Sequence, residues 1–208
     1  MSPASARRSA RVLPENPVRS CWAVVGFVAL LYLVEFVDQS TGLVLDQYGV
    51  VPRETVGLVG ILVGPLLHQG WAHLVSNTPP VAVLAFLATS GGLRRFAAVT
   101  AIVWFVSGAG TWLTGPAQTD HIGASGLAFG WLVFLLVRGF FARSAGQVLV
   151  AVVLFLCWGG MLWGLLPGQP GISWQEHLFG AVGGFLAARA VSRGGPTGSP
   201  RASGTMSG

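Results

Sequence analysis

A repeated length constrains this chain more than any single residue does. Six apolar runs, Cys21–Val37, Trp71–Ser90, Phe96–Leu113, Gly123–Arg138, Gly146–Leu166 and Trp174–Ala190, each approach the ~17–25 residues that a helix needs to cross a bilayer. Charged residues make up 9% of the 208, against about 25% in soluble domains, so an ordinary water-soluble fold is excluded. The expected fold is an all-α membrane protein with a bundle of six transmembrane helices. A seventh apolar stretch, Glu54–Leu67, is too short to span and carries Gly57, Gly60, Gly64 and Pro65. It suits a short interfacial or re-entrant element between the first and second helices.

The basic residues orient these spans. All twelve are arginine, and eleven of them (Arg7, Arg8, Arg11, Arg19, Arg94, Arg95, Arg138, Arg143, Arg189, Arg193 and Arg201) fall on one side if the chain starts in the cytoplasm. Arg53 alone lies on the other side, together with Glu35, Asp38, Asp46, Glu54, Asp120 and Glu176. This split follows the positive-inside rule and puts both termini in the cytoplasm. The net charge of +5 is thus a topology signal rather than a footprint for nucleic acid. Residues 1–20 and 194–208, rich in Ser, Gly, Pro and Arg, are expected to be disordered tails flanking a membrane domain over 21–193. Cys21–Val37 is longer than the ~7–15 residues of a signal-peptide core and is followed by further spans, so no cleavage is expected. Cys21 and Cys157 suggest no disulfide framework and are expected as free, buried thiols.

Polar side chains in apolar helices are costly and mark sites. Three clusters open the second, fourth and sixth spans: His68-Gln-Gly-Trp-Ala-His73-Leu-Val-Ser-Asn77, His121-Ile-Gly123-Ala-Ser125-Gly126, and Glu176-His177-Leu-Phe-Gly180-Ala-Val-Gly-Gly184. These three spans run in the same direction, so all three clusters lie at similar depth near the outer surface. His73 and Asn77, four residues apart, share a helical face. The fourth span is short, and the non-helical stretch Thr114–Ile122 before it implies a water-accessible cavity above Ser125. A serine hydroxyl becomes a nucleophile when a base such as histidine takes its proton. Gly126 permits close backbone approach, and the Ser125 amide at a helix start, with Asn77 and His73 as further donors, could hold an oxyanion. Gly126/Gly130 and Gly180/Gly184 have the spacing that lets helices pack closely and bring Ser125 to His177. Each signal has a plain structural counterpart: a serine bonded to its own preceding turn, a histidine in an interhelical hydrogen bond, glycines as packing devices.

Taken together, His68-x4-His73-x3-Asn77, Gly123-Ala-Ser125-Gly126 and His177-x2-Gly180-x3-Gly184, in this order on a six-helix core from Cys21 to Ala190, resemble the rhomboid family of intramembrane serine proteases. The resemblance implies a Ser125–His177 dyad without an acidic third member, with His73, Asn77 and the Ser125 amide as the oxyanion hole. It also implies that Phe129 packs against the His177 ring. The substrates implied are membrane proteins, cut in or near a transmembrane segment within the lipid bilayer, and neither a metal nor another cofactor is implied. His68 is expected either to hydrogen-bond near the water entry or to cap the interfacial element. His121 could line the entrance, but is expected as an exposed loop residue. The chain departs from the family pattern in three places: no Trp-Arg pair at Arg53-Glu54-Thr55-Val56, Glu176 where a small residue commonly precedes the histidine, and Pro79-Pro80 after Asn77, which should kink the second helix.

Two other classes compete with the protease reading. One is a catalytically silent rhomboid-like protein that binds transmembrane helices; the other is a small membrane transporter, for which intramembrane histidines would be natural. Exclusive use of Arg beside many Gly, Ala and Val suggests a GC-rich bacterial genome, and hence a plasma membrane with the site towards its outer leaflet. Oligomeric state is left open by the sequence.

Overall fold

The computed structural model describes residues 11–193, which fold into helices joined by short 3-10 turns and loops. We number the α-helices in chain order: α1 Pro17–Thr41, α2 Gly57–Val63, α3 Trp71–Ala88, α4 Leu93–Thr114, α5 Ser125–Ala142, α6 Ala145–Trp158 and α7 Trp174–Arg193. Thus α1 and α3 to α7 are the six expected spans, and α2 with its 3-10 extension Gly64–Leu66 is the short element between the first two. Among the described residues, five helices are both long and apolar enough to cross a membrane. The sixth, α7, matches them in length at 20 residues but is less apolar, because Gln175, Glu176 and His177 fill its first turn. It can be so because it lies inside the bundle, packed most extensively against α5 and α4, with its polar first turn buried.

Local signals set the ends of these helices. Asn16 caps α1 by accepting from the Arg19 N–H at 3.0 Å, with Pro17 in the first helical position and Gly42 ending the helix in the left-handed region. The helix therefore starts four residues before Cys21, inside the expected N-terminal tail. Arg11 also pairs with Glu15, and its carbonyl accepts from Gln147. The rest of the two expected tails, residues 1–10 and 194–208, lies outside the described residues. Helix α3 runs unbroken through Pro79 and Pro80. Helix α5 continues one turn past Arg138, so that residue does not mark its inner end. Instead Arg138 is buried, donating to Ser90 Oγ beside the Phe134 ring. Cys21 and Cys157 are free, as expected, but both are exposed on the outside of the bundle rather than buried. An apolar protein surface facing lipid removes the pressure that buries thiols in soluble proteins.

The core centres on α5, whose Leu127, Ala128, Trp131, Leu132 and Leu135 are buried against α3, α4 and α7. Its contact with α7 is built from glycine on both sides. A Cβ added at Gly180 would collide with the Gly126 carbonyl, and one at Gly184 with the Gly130 carbonyl. Backbone thus meets backbone along this seam. Gly180→Ala should destabilise the protein by ~1–3 kcal/mol, as overpacking does in other close-packed sites, whereas Gly26→Ala, which meets nothing within 4 Å, should be neutral or slightly stabilising. Unfolding of the two variants in the same detergent compares them; equal stability would mean that the seam can open without cost.

Candidate active site

Ser125 is the first residue of α5 and His177 sits in the first turn of α7. The seam places these two helix starts side by side, and Ser125 Oγ lies 2.8 Å from His177 Nε2. The other ring nitrogen, Nδ1, is 3.0 Å from the carbonyl of Gly164 in the 3-10 segment Gly159–Leu165. A carbonyl can only accept, so Nδ1 carries the hydrogen and Nε2 is left to accept from the serine hydroxyl. The Phe129 ring, one turn beyond Ser125, stacks on the imidazole with centroids 4.0 Å apart and planes 11° from parallel. The ring is therefore held on one face by Phe129 and at one nitrogen by a backbone carbonyl. A side chain at Gly164 would crowd both, since its Cβ would lie 3.0 Å from His177 Nδ1 and from Phe129 Cζ.

Glu176 does not join this arrangement. Its carboxyl is buried between α4 and α5 beside Gly126 and Ser107, whose hydroxyl donates to the Glu176 carbonyl at 2.8 Å. Adjacent residues point about 100° apart on a helix, which turns this carboxyl away from the imidazole.

Helix α3 supplies the opposite wall. The Gln69 N–H donates to His73 Nδ1 at 3.3 Å, so the His73 hydrogen sits on Nε2. That nitrogen overhangs Gly123, where a Cβ would come within 3.1 Å of it and 3.8 Å of Ser125 Oγ. Gly123 has φ 124°, a backbone conformation that L side chains rarely adopt, in the turn that leads into α5. Asn77 is buried one turn along from His73, one of its amide hydrogens directed to the His73 carbonyl at 3.2 Å. His73 and Asn77 thus line the same cavity wall as Ser125.

His68 is fully buried just beyond the end of the short element, and its Nε2 accepts from the Ala124 N–H at 3.4 Å, so it props the turn that presents Ser125. Burial, helped by nearby His73, pushes its pKa down to about 4, which keeps the ring neutral and able to accept. His121, expected to be exposed, is buried as well: its backbone pairs in both directions with Val50, and its ring contacts Thr119 and Ser173. The loop residues around it fold inward over the site because Gly115 and Gly49 leave room for them.

A cavity of about 1100 Å³ lies between α3, α5, α7 and the preceding loops, with Ser125, His177, His73, Asn77, Phe129 and His121 in its wall. Glu35, Asp38, Asp46 and Asp120 gather at the same end. Burial and then repulsion from the other three raise Asp46 to about 6. No group of three or more His, Cys, Asp or Glu among the described residues could hold a metal ion.

The model of the Rhomboid domain matches residues 56–194. The chain belongs to the rhomboid family. Proteins of Mycobacterium bovis and Mycobacterium tuberculosis, both named only as uncharacterized, are 50% identical to it over 187 residues, covering 84% of this chain and 78% of theirs. An uncharacterized protein of Mycobacterium leprae is 48% identical over 191 residues, covering 86% and 76%. A Bacillus subtilis protein named "Putative rhomboid protease YdcA" is 33% identical over 123 residues, covering 58% and 61%. As a rhomboid protein with several apolar helices, the chain is a multi-pass membrane protein.

Sequence reasoning missed the Gly164 carbonyl and the propping role of His68. Every residue has a carbonyl, so no residue type could single out the one that meets His177. The hydrogen positions inferred from these partners are directly measurable. In ¹⁵N spectra of histidine-labelled protein near neutral pH, His177 should carry its proton on Nδ1 and His73 on Nε2. The opposite tautomer at either residue would contradict its assigned partner.

Proposed function

We propose that this rhomboid protein is an intramembrane serine endopeptidase that hydrolyses peptide bonds in or near transmembrane segments of other membrane proteins. The observation that carries the reading is the Ser125 Oγ–His177 Nε2 hydrogen bond, in the wall of a cavity large enough for a short peptide. Ser125 Oγ attacks the scissile carbonyl carbon as its proton passes to His177 Nε2. The negative charge on the carbonyl oxygen is met by the Ser125 N–H, the His73 Nε2–H and the Asn77 amide. The imidazolium then gives its proton to the leaving amine as the C–N bond breaks. Water, deprotonated by the same imidazole, releases the acyl group from Ser125. No carboxylate is needed to orient the base, because Phe129 and the Gly164 carbonyl hold its ring. Gly126, Gly180 and Gly184 act by letting α5 and α7 approach. A silent helix-binding protein would have no use for a serine hydroxyl aimed at the free nitrogen of a histidine.

The arginine distribution supports cytoplasmic termini, and the acids around the cavity are what the outer side would carry. In that orientation the site opens towards the outer leaflet of a bacterial plasma membrane and meets single-span substrates from that side. No cofactor is required.

Purified protein in detergent should cleave a model transmembrane substrate and be labelled by a fluorophosphonate, and Ser125→Ala and His177→Ala should bring cleavage to background. Asn77→Ala should lower turnover by ~10–10³-fold, the upper range being the cost of removing a good oxyanion donor. Equal cleavage and labelling by the wild type and both dyad variants would remove Ser125 and His177 from the chemistry.

A further inference from the structure

His121 belongs neither to the dyad nor to the donors around the oxyanion, yet it is buried where three parts of the chain meet. Its backbone N–H and carbonyl pair with those of Val50 at 3.1 and 2.9 Å, which anchors the residue to the loop before α2. Its ring reaches Thr119 Oγ1 at 2.9 Å through Nε2 and Ser173 Oγ at 2.6 Å through Nδ1. Ser173 is the residue immediately before α7.

The direction of each hydrogen bond follows from the partners. Thr119 Oγ1 donates its own hydrogen to the Pro116 carbonyl at 2.8 Å, so it must accept from His121 Nε2–H. Nδ1 of the neutral ring is then bare and accepts from Ser173 Oγ–H. Burial lowers the His121 pKa against the opposing pull of Asp120, which favours this neutral form at pH 7. The Ser173 hydroxyl oxygen in turn accepts from the Glu176 N–H at 3.4 Å, and the Ser173 carbonyl accepts from the His177 N–H at 3.2 Å. Ser173 is thus the N-cap of α7, and His121 determines which way its hydroxyl points. The residues leading into it, 166–172, are mostly exposed and include Gly168 and Gly171 at positive φ, so they offer little anchorage of their own.

We infer that His121 is a positioning residue: by holding Ser173 it fixes the first turn of α7, and with it the His177 ring opposite Ser125. The inference rests on the peptidase reading for its kinetic consequence, but its structural consequence stands apart from it. An ångström of displacement between reacting groups costs on the order of 10²-fold in rate. His121→Ala and Ser173→Ala should therefore each lower kcat by about 10–100-fold with KM nearly unchanged. The double variant should be no worse than the more affected single one, because the His121–Ser173 bond is lost in all three. His121→Asn, whose Oδ1 can stand where Nδ1 stood and accept from Ser173, should recover most of the rate, whereas His121→Gln, with its amide displaced towards Thr119, should not.

The test uses the full chain in detergent micelles and reads, for each variant, kcat and KM on the model substrate, the ¹⁵N resonances of the His177 ring, and thermal stability. Shifted or broadened His177 resonances in His121→Ala and Ser173→Ala, restored in His121→Asn, are the expected result. Unchanged His177 resonances in both alanine variants would overturn the inference. Rate losses that add in the double variant, or that simply track lowered stability without rescue by Asn, would also overturn it. Absence of cleavage by the wild type would instead count against the peptidase reading, and the His177 resonances would still decide the role of His121.

Discussion

The contact between the backbones of α5 and α7 is the constraint on which the site depends. In a bilayer no hydrophobic force drives one apolar helix onto another, so close approach has to come from shape. Gly126 and Gly130 on one helix face Gly180 and Gly184 on the other, and carbonyl groups occupy the space that side chains would fill. Only that approach lets a side chain as short as serine reach a histidine on the neighbouring helix at 2.8 Å. Ser107 reinforces the same region from α4 by donating to the Glu176 carbonyl, one residue from the histidine.

A second economy concerns the irregular backbone at the site end of the bundle. The chain between α4 and α5 leaves amides and carbonyls without helical partners, and buried groups of that kind are expensive. Several of them are met by another loop or by a side chain. Val50 pairs with His121, the Gly123 N–H donates to the Gly64 carbonyl at 3.0 Å, and the Ala124 N–H donates to His68. Short element α2 and its 3-10 extension are therefore part of the support of the serine rather than a mere connection between spans. The turn before Ser125 is held from below, and the helix start that carries His177 is held from the side.

Much of this was legible in the sequence because the relevant signals are local. Span length needs only neighbouring residues to be read, whereas the Asn16-Pro17 start of α1, equally local, falls inside the stretch expected as a tail. The three polar clusters could be placed at one end because helices that alternate in direction leave only one end for them to share. The stacking of Phe129 on His177 followed from the resemblance together with its position one turn from Ser125. Exposure was harder to read: two cysteines expected inside lie outside, and His121, expected outside, lies inside. Burial in this protein depends on which helix face meets lipid and which loop folds over the cavity, and neither is written in residue type.

By itself, then, the sequence determined an all-α membrane bundle, its span boundaries to within a few residues, and the residues that could carry chemistry. Tertiary structure alone decided which partners they meet. The Gly164 carbonyl sets the hydrogen on His177, the Gln69 amide sets the hydrogen on His73, the Ala124 amide gives His68 its task, and Ser173 gives His121 a partner. In each case a main-chain group or a hydroxyl meets a ring nitrogen of a residue that is distant in sequence or poised by a particular turn. Main-chain groups are the same at nearly every position, so only the path of the chain through space selects which of them a given imidazole will meet.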